Sequence, residues 1–305
     1  MKDFDWLDDL KIRFGYGVTG NNDFSATYMA NMLGSDTNWM MPNGTWAYSY
    51  GKSQNVNPNL GWEEKKEWNL GVDYSFFEGR LYGKFDYYRR EVDNLLFSVK
   101  VPQPPYTQGS QMQNIGSMES KGWEFEVGGD IIRTKDFTWS SSMNLSHNTG
   151  KILTLEGDNS YHNGNGFVAP GTPGDAARME AGSTIGSFYM WKFAGFDDEG
   201  SFLLYNKDGE VIPAAQKTEN DKQYIGNYTP KLIIGWSHTL TYKNFDLGIN
   251  LRSWIDFDVF NTINMYYGLS EVAGQNVLRN AYIDNRHIKE VKQLCDYWLE
   301  DGTFL

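Results

Sequence analysis

From Lys66 to Glu91 hydrophobic and polar residues alternate through two long arms. In the first, Trp68, Leu70, Val72, Tyr74 and Phe76 alternate with Glu67, Asn69, Gly71, Asp73 and Ser75. In the second, Leu81, Phe85 and Tyr87 alternate with Tyr82, Lys84, Asp86 and Tyr88. A period of two puts each set on its own face of a sheet. Glu78-Gly79, between the arms, supplies the glycine that a tight hairpin favours. An arm of about thirteen residues exceeds the soluble norm of about 5–6 and suits a tilted strand crossing a bilayer. One face is apolar and aromatic, the other small, polar and charged, as in a barrel with lipid outside and water inside. A half-buried hairpin of a soluble β-protein has the same alternation, so this hairpin alone leaves both readings open.

The same period recurs along the chain. Residues 10–18 place Leu10, Ile12, Phe14, Tyr16 and Val18 on one face and Lys11, Arg13, Gly15 and Gly17 on the other. Residues 116–132 set Trp123, Phe125, Val127 and Ile131 against Glu124, Glu126, Gly128 and Asp130. Strands are also expected at 137–146, 187–196, 230–242 and 245–256. Their connections fall into two sets. Those at 77–79, 133–135 and 243–244 are short; those at 19–63, 93–115, 149–184 and after 257 are long. Pro102, Pro104 and Pro105 exclude a regular ladder from part of the second long one. Outer-membrane barrels have this asymmetry, with short periplasmic turns and long extracellular loops. It favours the barrel, but it also demands an upward crossing between 187–196 and 230–242. Only Ser201–Asn206 (SFLLYN) has the alternation for one. About nine crossings result, an odd number, and an open sheet of that size carries unprotected edges. The expectation is therefore part of a larger antiparallel transmembrane β-barrel. Beyond 257 the period is lost, and Ile288–Trp298 reads as a short helix.

Composition narrows the function classes. There are 27 basic against 39 acidic residues, a formal charge of −12, so no basic stripe meets phosphates and nucleic acid is excluded as a partner. Aromatics make up 16% of the chain; Tyr and Trp suit membrane–water interfaces, where one end of the ring is apolar and the other wet. A single cysteine, Cys295, rules out an intrachain disulfide. The start, MKDFDWLDDL, is acidic and lacks the apolar stretch of a signal peptide. Glu124 and Glu126 lie two apart on one face, which suggests the carboxylate pair of a glycosidase; a hydrophilic wall explains them better, and no catalytic motif accompanies them, so the protein reads as no enzyme. Asp197–Gly200 and Asn206–Gly209 resemble pieces of calcium loops but lack the spacing of a twelve-residue site. Polar turns account for them, and no cofactor is expected, Ca²⁺ being open but unsupported.

Residues 57–96, NPNLGWEEKKEWNLGVDYSFFEGRLYGKFDYYRREVDNLL, resemble the C-terminal barrel region of TonB-dependent outer-membrane receptors of the SusC/RagA class. Further stretches match in the family's order: 10–22, 114–127, 137–152, 186–196, 224–251 and 297–305. The resemblance implies a barrel of roughly 22 strands around a plug, located in the outer membrane of a Gram-negative bacterium. It implies TonB–ExbB–ExbD as the energy source, a SusD-like surface lipoprotein as the lid, and an oligosaccharide or peptide as cargo. Residues 1–305 are then expected to be a partial barrel domain, with signal peptide, plug and terminal strands absent. The alternative is a secreted or surface glycan-binding or adhesion module without transport.

On the barrel reading Asp73, Lys84, Asp86, Arg90, Glu124, Glu126, Asp130, Asn250, Arg252 and Asp256 face the lumen. Outer-membrane lipid meets the other face, with Trp68, Leu70, Val72, Tyr74, Trp123, Phe125, Ile234 and Trp236. Sugar rings stack on aromatic faces, so Trp39, Trp46, Tyr48, Tyr50, Tyr106 and Tyr161 in the long loops are candidates for ligand contact. Docking of the lipoprotein or packing within the loops would use the same side chains.

Overall fold

The computed structural model describes residues 6–22, 25–30, 32–155, 161–163 and 177–261, with further positions at 263, 267–268, 276–279 and 281. The expected helix at 288–298, Cys295 and the end of the chain lie outside the described residues. The strands, in chain order, are β1 (Leu7–Asn21), β2 (Leu33–Met40), β3 (Trp46–Lys52), β4 (Glu63–Phe76), β5 (Leu81–Asp93), β6 (Leu96–Lys100), β7 (Ser110–Asn114), β8 (Ser117–Arg133) and β9 (Phe137–Thr154). They continue as β10 (Tyr161–Asn163), β11 (Arg178–Glu180), β12 (Ser187–Phe196), β13 (Phe202–Tyr205), β14 (Val211–Pro213), β15 (Lys222–Asn227), β16 (Leu232–Tyr242) and β17 (Phe245–Ile255). The chain divides into two compact units: Met1–Ser160 with Glu180–Gly182 and Ile234–Arg252, and Tyr161–Met179 with Ser183–Ile233 and Ser253–Leu305.

The first unit is built on a seven-stranded sheet in the order β1-β4-β5-β8-β9-β16-β17. Its register sorts side chains by face, because residues directly opposite in neighbouring strands share one. Ile12, Val72, Phe85, Phe125 and Leu145 form one row across five strands. The next row is Lys11, Asp73, Lys84, Glu126 and Asn144. One face is apolar and stays uncovered, with Ile12 and Phe14 more than 70% exposed; the other carries the charge. The turn between β4 and β5 puts Phe77, Glu78 and Gly79 at positive φ, and Asp8 accepts hydrogen bonds from the Glu78 and Gly79 amides at 3.0 and 2.8 Å.

Three expectations need correction. The 19–63 and 93–115 connections are not plain loops: β2 pairs with β3 and β6 with β7 as hairpins, and the prolines interrupt only the turn between β6 and β7. The 187–196 and 201–206 segments are not crossings. They pair as β12 and β13 inside a separate four-stranded sheet of order β14-β13-β12-β15. The main sheet therefore has seven strands rather than nine, and β9 is bonded directly to β16. Finally, a bulge between Asp130 and Ile132 shifts the register of β8, so Ile132 rather than Ile131 lies opposite Trp139.

The four-stranded sheet belongs to the second unit and has its own core. Phe188 and Met190 are buried with Ile225 and Phe260 packed against them, and Phe202 and Leu204 are fully enclosed. Trp191 donates its indole N–H to the Thr218 carbonyl at 2.7 Å, and the Lys222 ammonium sits 4.3 Å from its ring centre. Such two-sided burial is what a run of mixed large apolar residues in β12 calls for.

Candidate functional site

The polar face of the main sheet is cross-linked by ion pairs from strand to strand. Arg13 of β1 makes a two-pronged contact with Asp73 of β4, Nε at 2.8 Å and Nη2 at 2.9 Å. The same Nη2 reaches Asp86 of β5 at 3.0 Å. Arg13 thus spans β4, and it passes over Gly71, its register partner. A Cβ on Gly71 would sit 2.5 Å from Asp86 Oδ1 and 2.6 Å from Arg13 Nη2, so the bare position is what lets the guanidinium through. Lys84 of β5 pairs with Glu126 of β8 at 3.1 Å, and Arg90 with Glu67 of β4 at 3.0 Å. Asp130 accepts a hydrogen bond from Ser140 Oγ at 2.7 Å. These pairs are partly exposed, so solvent screening keeps the contribution of each to stability small. Their effect is to fix a lattice of alternating charge rather than to hold the fold.

Most of the expected lumen-facing set is therefore brought onto one face: Asp73, Lys84, Asp86, Glu124 and Glu126 share it by register, and Arg90 and Asp130 make the contacts above. Asn250 and Arg252 lie on β17 and are exposed. Asp256 differs. It lies past the end of β17 at φ 57° and turns to Lys231 Nζ at 2.5 Å, where its hydrogen bond and then its charge raise the lysine's affinity for its proton. Arg13 and Glu67 are members that the sequence reading left out of its candidates. Their signal was present, since both occupy polar positions of the alternation, but only register shows which carboxylates they meet.

The opposite face has a layered profile. Near the short turns it carries Trp6 stacked on Phe76 at 5.6 Å and Trp139, whose indole donates to His238 Nδ1 at 3.3 Å. An apolar band follows. Beyond it come Trp68 against Tyr87 at 5.4 Å and Trp123 against His147 at 6.2 Å. From Phe76 to Trp68 is roughly 27 Å of strand at ~3.4 Å per residue. Past that band the same face turns ionic: Arg89 pairs with Glu91 and Glu119, both at 2.6 Å.

The long connections are braced by asparagines. Asn55 is buried; its Nδ2 donates to the Gln108 and Ser110 carbonyls at 2.6 and 2.8 Å, and its Oδ1 accepts from the Thr107 and Gln108 amides. Asn114 binds both polar groups of the Gly61 backbone. On the β2–β3 hairpin Trp46, Tyr48 and Tyr50 occupy alternate positions of β3, all at least 61% exposed, and Met40 lies opposite Trp46. Trp39 pairs with Ala47 and faces the other way. Tyr106 is half-buried in the β6–β7 turn, apart from this stripe in sequence and element, and the Tyr161 side chain lies outside the described residues.

The two fragments reminiscent of calcium loops are hairpin turns. Asp197 Oδ1 accepts from the Glu199 and Ser201 amides, and Asn206 Oδ1 from those of Asp208 and Glu210. Among the described residues no three His, Cys, Asp or Glu side chains gather as metal donors.

The family model described as TonB dependent receptor-like, beta-barrel matches residues 3–283. The TonB-dependent receptor SusC of Bacteroides thetaiotaomicron is 29% identical over 325 residues, covering 100% of the chain. The TonB-dependent receptor P3 of Formosa agariphila is 29% identical over 337 residues, again covering 100% of the chain. Among solved structures, that of the RagAB peptide transporter superposes on 88% of the chain with a TM-score of 0.72 and 25% identity. The chain spans only 31% and 32% of the two receptors' length and 29% of that of the solved chain.

Proposed function

This chain belongs to the TonB dependent receptor-like β-barrel family, and on that premise we propose that it forms part of the wall of an importer for oligosaccharides or peptides. The family places it in the outer membrane of a Gram-negative bacterium as transmembrane β-barrel. The relatives are named as receptors and a transporter, not as enzymes. The observation that carries the proposal is the two-faced register. The Ile12-Val72-Phe85-Phe125-Leu145 row meets lipid, and the Lys11-Asp73-Lys84-Glu126-Asn144 row lines a water-filled lumen. Asp73, Lys84, Asp86, Arg90, Glu124, Glu126 and Asp130 give that lumen a hydrated surface and hold a plug by charge. A secreted adhesion module has no use for so broad an exposed apolar face, which in water would drive association.

In this reading the short turns are periplasmic and the hairpins of the long connections are extracellular. The Trp46-Tyr48-Tyr50 stripe stacks on a ligand or docks a SusD-like lipoprotein. TonB–ExbB–ExbD drives transport through parts of the receptor outside this chain. The peptide half of this cargo class is supported by the similar solved structure, which is named a peptide transporter. The test uses the whole receptor that carries this chain, purified in detergent with its neighbouring lipoprotein. Calorimetric titration with oligosaccharides and peptides is expected to find saturable binding to the complex, weakened by Trp46→Ala or Tyr48→Ala. Binding by neither class, or a receptor that stays soluble without detergent, contradicts the proposal.

A further inference from the structure

The apolar face of the main sheet is not uniform. Next to the short turns it opens into a groove of about 460 Å³, within the span of small-ligand sites, roughly 300–1,000 Å³. The groove exists because two positions directly opposite each other, Gly129 and Ser141, are small. Around them stand Leu81, Val127, Met143 and Trp236. Its floor is fixed. A Cβ on Gly129 would strike the Arg80 carbonyl, and Ser141 Oγ accepts the Trp236 indole N–H at 2.9 Å.

The lining changes along the groove. Arg80 stands at the short-turn end, exposed and with no ion pair among the described residues. Val127, Met143 and Trp236 line the part that runs toward the middle of the strands. Left empty, an apolar concavity forfeits dispersion contacts with whatever surrounds it. On the barrel reading proposed above, on which this inference rests, the solvent on this face is lipid. The matching occupant is an amphiphile with an anionic head and a hydrocarbon tail, oriented as lipids of the near leaflet are, head at the strand ends and tail inward. We propose that the groove seats an acyl chain of one glycerophospholipid from the leaflet at the short-turn end, with the phosphate held by the Arg80 guanidinium. A planar guanidinium binds a phosphate through paired hydrogen bonds.

The test takes the whole receptor in nanodiscs containing phosphatidylglycerol with a photoreactive group on one acyl chain. After illumination, mass spectrometry is expected to find adducts concentrated on Val127, Met143 and Trp236. Ser141→Leu fills the groove and is expected to reduce those adducts about tenfold, and Arg80→Glu to reduce them by a similar factor, the equivalent of losing one charge-assisted contact. Arg80→Lys is expected to retain most of them. Each variant is first checked for the heat-modifiable mobility of a folded barrel. If Ser141→Leu does not fold, Arg80→Glu, at an exposed turn, decides alone. Adducts spread evenly over the outward face, or unchanged in Arg80→Glu, overturn the proposal.

Discussion

Position 71 shows how a residue without a side chain organises its neighbours. Gly71 lies between Arg13 and Asp86 in the register, and its missing Cβ is the gap through which Arg13 reaches two strands at once. Tyrosines use glycines in the same way: Tyr88 lies over Gly122 and Tyr82 over Gly128. Cross-strand pairs of this kind are the unit of sheet stabilisation. Gly71→Ala in the whole receptor is expected to expel the guanidinium from Asp86 and cost about 1–2 kcal/mol, as overpacking does. A lowered denaturation midpoint in detergent would show it. Asp86→Asn is expected to change the midpoint by less, since it removes charge but not space. An unchanged midpoint for Gly71→Ala would mean that Arg13 has another route. The polar position of Arg13 was legible from alternation alone; its partners were not, because period two assigns a face but no register.

At the scale of elements, the connections carry more structure than their composition suggested. The β2–β3 and β6–β7 hairpins were missed because each is short, interrupted by a bulge or by prolines, and flanked by Asn, Gly and Ser that read as loop. What holds the second one is Asn55, whose amide replaces a ladder by binding Thr107, Gln108 and Ser110. Asn55→Ala removes four hydrogen bonds from a buried side chain to the Thr107, Gln108 and Ser110 backbone, each contributing about 0.5–1.5 kcal/mol. Limited proteolysis is expected to cut between β6 and β7 in that variant and not in the parent. Asp221 does similar work in the four-stranded sheet. It accepts from the Thr218 hydroxyl at 2.6 Å, from the Thr218 amide at 2.8 Å and from the Lys207 amide at 3.1 Å. The Thr218 side-chain hydrogen bond, against the opposing effect of burial, holds its carboxyl below the ordinary range. Folding favours the ionised form, so the stability it contributes is full above the unfolded aspartate value, about 3.9, and is lost as pH falls through the lower folded value. Amide exchange at Thr218 and Lys207 is expected to accelerate only in that acid window. Asp221→Asn is expected to exchange fast at neutral pH with little further acid dependence.

At the scale of the whole molecule, the seven crossings alternate direction without the additional one that the sequence reading required. β1 to β4, β5 to β8 and β9 to β16 are joined by long connections; β4 to β5, β8 to β9 and β16 to β17 by short turns. The excess crossings came from taking β12 as a crossing, which then demanded a second at 201–206. The β12 sequence lacks the one-sided alternation of its neighbours, and Phe188, Met190 and Trp191 are buried rather than exposed, which is the mark of a packed sheet rather than a membrane wall. The barrel strands themselves were legible because one apolar and one polar face impose a period of two along each strand. The groove beside Ser141 was not, because it depends on which small residues meet across strands. The central claim is that the two faces of this sheet meet different solvents. The most direct measurement places spin labels one at a time at Val72, Phe85 and Phe125, and at Asp73, Lys84 and Glu126, in the whole receptor reconstituted in liposomes. Collision rates with oxygen and with a water-soluble nickel chelate are then compared by electron paramagnetic resonance. The first three labels are expected to collide chiefly with oxygen and the second three chiefly with the chelate; equal accessibility of the two sets to the chelate would contradict a membrane wall.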